Sequence, residues 1–169
     1  VIPSDIASTA HASDFVYNTT HDKLGCWTTE FSRKFYEDNG FFLKKGGLEI
    51  CRKDDDARWE ELKRKVASGK AFGTNVRLIS ASEAKEKFPL LEEESIRGAM
   101  WDPDAGLVTP RSQDVVSFAV ETAKDKGALK TFTDTPAIDF EIENGKVVGV
   151  KTDKGIIKTT KVVIASGIW

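Results

Sequence analysis

Two histidines, His11 and His21, are the side chains of this sequence best suited to move a proton or attack an electrophile near neutral pH. Neither belongs to an HExxH pair, and neither has cysteines at ligand spacing, so no metal centre is expected. Chain order leaves a Ser-His-Asp device open, but no GxSxG elbow presents a nucleophile. The acidic runs Asp54–Asp56 and Glu92–Glu94 read as solvated helix and loop faces rather than paired catalytic carboxylates. A dinucleotide fingerprint needs glycines at i, i+2 and i+5, so that backbone can approach a pyrophosphate at a helix N-terminus. No two glycines here are separated by one residue, and no P-loop is present. Cys26 and Cys51 form no CxxC, which makes a reducing, cytoplasmic compartment the default expectation. Taken alone, this chemistry stops at a mixed α and β protein with no catalytic residue assigned.

The elements that would carry these residues can be read from periodicity. Leu24, Trp27, Phe31 and Phe35 recur at steps of three and four, predicting a helix over 22–38 with one apolar stripe, stopped by Asn39-Gly40. Residues 41–52 read as extended, with Leu48 and Ile50 alternating against Glu49 and Cys51. Asp54–Asp56 suit the positive end of a second helix whose buried stripe would be Trp59, Leu62 and Val66. A short strand at 75–79 leads into Ser80 and Glu83, spaced as a capping box for a brief helix that ends at Phe88-Pro89. A strand at 96–101 precedes the turn Asp102–Gly106, and Ser112 is placed to cap a third long helix with a core face of Val116, Ala119, Val120 and Ala123. From Ala128 the period becomes two, predicting strands at 128–133, 137–143, 146–152, 156–160 and 161–165. Asn144-Gly145 and Asp153–Gly155 supply the turns.

Bulk properties exclude several classes. The chain has 169 residues, 40% hydrophobic and 31% charged, which is globular rather than disordered composition. Its 25 basic and 27 acidic residues leave a net charge of -2, so no electrostatic case for a nucleic-acid partner arises. No apolar run approaches the roughly 20 residues that span a bilayer, so no membrane partner is expected. The single methionine is Met100, and with an apolar segment closing the sequence we expect an internal piece of a larger protein.

Three segments in order add what residue chemistry does not. They are Ser8-Thr9-Ala10-His11-Ala12; then Gly46–Ile50, Leu78–Glu83, Phe88–Leu91 and Asp102–Pro110; then Gly145–Gly155 with Val162–Trp169. Together they resemble the dimethylglycine oxidase and sarcosine/dimethylglycine dehydrogenase family of D-amino-acid-oxidase-like flavoproteins, over nearly the whole chain. The resemblance implies an α+β fold: part of a flavin-binding domain with a β-meander, plus a mixed-sheet substrate domain. Residues 1–40 and 112–169 would be flavin-binding and 41–111 the substrate domain. It also implies FAD as cofactor, with His11 matching the histidine that tethers the flavin covalently. Ala137 would match a strand residue whose backbone contacts adenine, and Gly167 a glycine that lets the chain approach FAD. After the histidine the family often has Ala-Pro-Gly, where this chain has Ala12-Ser13-Asp14.

The activity so implied is oxidation of a small N-methylated glycine, sarcosine or dimethylglycine, by hydride transfer to flavin. Folate would capture the one-carbon unit in longer members, and the electron acceptor stays open. No residue assigned to the chemical step lies in this chain, so the isolated piece is expected to be inactive. Two alternatives stand beside this reading: a non-catalytic binding or interaction module on the same scaffold, and a relative acting on other amino acids or glycerol-3-phosphate.

Overall fold

A computed structural model describes residues 8–167. Part of the expected flavin-binding stretch 1–40 and the end of the segment Val162–Trp169 lie outside that range. Contacts divide the chain into two compact units, one ending at Thr122 and the other beginning at Ala123.

The first unit opens with a 3-10 turn over Ser8–His11 and the short strand β1 (Phe15–Val16). Helix α1 (Lys23–Asp38) follows, its first turn closed by the Asp22 carboxylate, which accepts from the Gly25 N–H at 2.8 Å. The expected extended run 41–52 becomes two strands in different sheets, β2 (Phe42–Lys44) and β3 (Gly47–Arg52). Gly46 lies between them at φ +76, a left-handed conformation that favours glycine. Next come α2 (Asp56–Ala71), β4 (Arg77–Ser80), α3 (Ala81–Lys87), β5 (Ile96–Asp102), β6 (Gly106–Val108) and α4 (Ser112–Asp125). Asp55 caps α2 through the Arg58 N–H, and Ser80 caps α3 through the Glu83 N–H, as the capping-box spacing predicts.

Two antiparallel sheets organise this unit. One has the order β1-β6-β2; the other has β3-β5-β4, with Ile50 opposite Ala99 and Leu78 opposite Met100. The second sheet is covered on both faces, and its alternation sorts the core accordingly. Cys51 and Met100 pack with Leu62 and Val66 of α2 and with Val76, while Ile79, Ala99 and Ile96 pack with Ala84 of α3. On β3 the buried positions are Gly47 and Cys51, whereas Ile50 stays 37% exposed. A period of two fixes which residues share a face, but not which face the larger helix covers.

Burial departs from the sequence reading at two helices. The stripe of α1 forms, with the Trp27 and Phe31 rings stacked at 5.6 Å, yet Leu24, Trp27 and Phe31 are all more than 60% exposed. The side of α1 that closes on the unit is marked instead by Cys26. On α4, Ala119 is exposed, while Phe118 turns inward with its ring centroid 5.2 Å from that of Phe41.

The second unit holds a meander, β7 (Ala137–Glu143), β8 (Lys146–Thr152) and β9 (Gly155–Lys158). Asn144 and Gly145 both take positive φ, +50 and +75, as a tight hairpin requires. The strands predicted at 128–133 and 161–165 are not formed among the described residues. Apolar composition specifies a segment to be buried, but a strand also needs an edge to pair with, and Val163 is 90% exposed.

Candidate functional site

His11 ends the 3-10 turn with its side chain exposed, and no described residue hydrogen-bonds its imidazole. Three residues on, Asp14 takes φ +60, a conformation that glycine adopts freely and aspartate tolerates better than most residues. The resemblance would place a glycine here in many members, and the backbone of Asp14 takes a shape that glycine could adopt. The Asp14 carboxylate also does what glycine cannot. Its Oδ1 accepts from the Ser112 N–H at 2.9 Å and from the Ser112 hydroxyl, while Oδ2 pairs with Arg111 Nε at 2.7 Å. Ser112, expected to cap α4, is itself the capped residue.

These donors, the Ser112 hydroxyl foremost and then its N–H, hold the Asp14 carboxyl below the usual carboxylate range. The backbone is fastened too: Val108 N–H donates to the Asp14 carbonyl at 2.7 Å, and Phe15 pairs with Leu107 of β6. Beneath the turn lies a cavity of about 270 Å³, bounded by Thr9, Ala12, Tyr36, Val108, Val115 and Val116. His11 therefore rides on an anchored turn beside a small, mainly apolar hollow.

A second anchored point follows β1. Asp102, fully buried at the end of β5, accepts from the N–H groups of Asn18 and Asp104, each at 3.0 Å, and from the Thr19 hydroxyl at 3.4 Å. Burial raises its pKa, outweighing the hydrogen bonds that favour the charge. Tyr17, between the two anchors, donates its hydroxyl to the Leu48 carbonyl at 3.0 Å.

The remaining residues singled out from sequence lie in the second unit. Ala137 is the first residue of β7, exposed and opposite Thr152. Gly167 is exposed at φ +71, where a side chain would be strained. Taken one at a time, His11 presents an exposed imidazole, Ala137 an exposed strand start, and Gly167 an exposed backbone at a positive φ that favours glycine, each of which leaves room for a flavin nucleotide. The described residues contain no group of three or more His, Cys, Asp or Glu able to hold a metal, and none of their helices is long and apolar enough to cross a membrane. Sequence reading missed Asp14 and Asp102. The available signals were an aspartate in a glycine's place and an aspartate opening a turn directly after an apolar strand.

Comparison with known proteins bears on all of this. The chain is 28% identical over 151 residues to human mitochondrial sarcosine dehydrogenase, covering 82% of this chain and 15% of that protein. It is 27% identical over 156 residues to the mouse mitochondrial pyruvate dehydrogenase phosphatase regulatory subunit, covering 90% of this chain and 17% of that one. Among solved structures it resembles L-proline dehydrogenase from P. horikoshii with a TM-score of 0.85 and 31% identity, covering 95% of this chain and 43% of that one. The chain thus spans about a sixth of these curated relatives and less than half of the solved one. The FAD dependent oxidoreductase family model matches residues 7–169, so the chain belongs to the FAD-dependent oxidoreductases.

Proposed function

We propose that the protein to which this chain belongs oxidises small N-methylated glycines, with sarcosine or dimethylglycine as substrate. The similarity to sarcosine dehydrogenase carries this reading. The likeness to L-proline dehydrogenase supports it chemically, because proline and sarcosine are both secondary amines beside a carboxylate. When bound, the flavin supplies a two-electron acceptor for hydride from the N-methyl carbon, and water releases formaldehyde from the resulting iminium. Folate would capture that carbon in a longer protein. Hydride leaves only from a neutral amine, so the complete site must lower the amine pKa.

Within this chain, His11 tethers the flavin while Ala137 and Gly167 receive its nucleotide portion by backbone. Residues 1–40 and 112–169 serve the flavin domain and 41–111 the substrate domain. The partners are the amine and an electron acceptor, with no nucleic acid and no membrane. The buried free thiols Cys26 and Cys51 suit a reducing, cytoplasmic setting.

One observation favours a second reading, a non-catalytic module on the same scaffold: the similarity to a regulatory subunit over 90% of the chain. Anaerobic mixing of the flavin-loaded full-length protein with sarcosine, dimethylglycine, L-proline, D-alanine and glycerol-3-phosphate separates the readings. Fastest bleaching by sarcosine or dimethylglycine is expected. Fastest bleaching by another compound moves the substrate class, and none with flavin demonstrably bound favours the regulatory module.

A further inference from the structure

We propose that Asp14 is a positioning residue, whose carboxylate latches the turn carrying His11 to the N-terminus of α4 and so aims the imidazole at the flavin ring methyl. The proposal rests on the tethering role given to His11 above. Among the described residues nothing hydrogen-bonds the His11 imidazole, so its placement there is inherited from the backbone that follows. That backbone is held at one residue from three directions. The Ser112 N–H and hydroxyl converge on Oδ1, Arg111 Nε closes on Oδ2, and the Val108 N–H takes the carbonyl. Apart from the ladder of β1, no other link of comparable number joins residues 8–16 to the rest of the unit among the described residues.

The conformation at Asp14 makes the side chain informative. A glycine would hold φ +60 with less strain, so backbone shape alone does not call for an aspartate. What aspartate adds is the carboxylate, and with it a charge-assisted bond to the first N–H of α4, where the helix dipole strengthens it. With only β1 to hold it, the 3-10 turn would swing over the apolar hollow beneath, and the imidazole with it. The linkage itself trades one C–H of the flavin ring methyl and the N–H of neutral imidazole for a C–N bond. Two electrons and two protons pass to dioxygen as hydrogen peroxide. A bond-forming step of this kind depends steeply on approach geometry, which is what a latch three residues away controls.

The experiment is reconstitution of the full-length apoprotein with FAD in air, following total bound flavin and acid-stable flavin separately. Asp14→Gly keeps the backbone conformation and removes the carboxylate. It should bind FAD in normal amount but attach it about tenfold more slowly or worse. Asp14→Asn, which still offers an oxygen to the Ser112 N–H, should recover much of that rate. A purely structural role would lower bound flavin and melting temperature together and leave the attachment rate per bound flavin unchanged.

Attachment by folded Asp14→Gly at the unsubstituted rate would overturn the latch. Where Asp14→Gly does not fold, Ser112→Ala and Arg111→Gln each remove one arm of the latch. Slower attachment in either supports it, and unchanged rates in both overturn it. His11→Ala distinguishes the underlying reading. Acid-stable flavin that persists in that variant, or is missing from the unsubstituted protein, removes the tether at His11 and the latch with it. Acid-stable flavin lost in His11→Ala but unaffected at Asp14 removes the latch alone.

Discussion

Replacing Asp102 with alanine is expected to destabilise the first unit by roughly 3 kcal/mol, lowering its melting temperature on the order of 10 °C. The carboxylate is fully buried and collects three donors, two of them backbone N–H groups. Alanine leaves the buried Asn18 N–H without its carboxylate acceptor, and an unmet buried donor typically costs about 1–3 kcal/mol. Asparagine is not a rescue, because its amide NH2 must point at a donor wherever its oxygen points.

The pH dependence has a definite sign. Burial raises the folded pKa of Asp102 above its ordinary 3.8, so the folded state binds this proton more tightly than the unfolded state. Its stabilising contribution is fully present below pH 3.8 and falls as pH rises through the folded pKa. The cost of Asp102→Ala should therefore be larger at acid pH than at neutrality. Paired thermal melts of both proteins across that range check this. A melting temperature unchanged at every pH would show that segment 18–19 needs no such anchor.

Leu62→Ala is expected to cost about 3 kcal/mol by opening a cavity in the larger core cluster. Leu62 is fully buried among Cys51, Val66, Val76 and Met100, with Trp59 and Leu78 packed against the same group. Apart from Val76, which directly precedes β4, these neighbours come from α2 and from the β3-β5-β4 sheet, so the gap is bordered mainly by rigid elements that cannot easily close over it. Leu62→Met, which keeps the volume, should cost less than about 1.5 kcal/mol. Urea titrations of the two variants compare them directly, with a shifted midpoint and an unaltered slope expected for alanine. Equal midpoints for alanine and methionine would contradict the cavity argument.

What the sequence disclosed follows physical range. Helices α1 to α4 are written in local periodicity, α2 and α3 also in their caps, while the cap of α4 comes from distant Asp14, and Asn144-Gly145 specifies its hairpin through conformations few residues tolerate. Strands β1 and β6 are two and three residues long and meet across more than 85 positions, so no local pattern encodes them. The alternating segment 128–133 and the apolar segment 161–165 have strand patterns, but pairing is a property of two segments. The stripe on α1 was legible as a stripe and not as a face in water, because periodicity says nothing about what stands opposite. At the site, His11, Ala137 and Gly167 came from resemblance to known flavoproteins, which carries chemistry that spacing alone does not. Asp14 and Asp102 act through partners 98 and 84 residues away, a relation visible only after folding.

The wetted stripe of α1 has a calorimetric consequence. The heat capacity of unfolding comes from apolar surface that meets water only when the chain opens. Leu24, Trp27 and Phe31 have already met it, so they add little to that difference. The first unit should therefore fall below the usual 12–15 cal/mol/K per residue. Its free energy would then curve gently with temperature, giving a low, broad stability dome in place of a steep one.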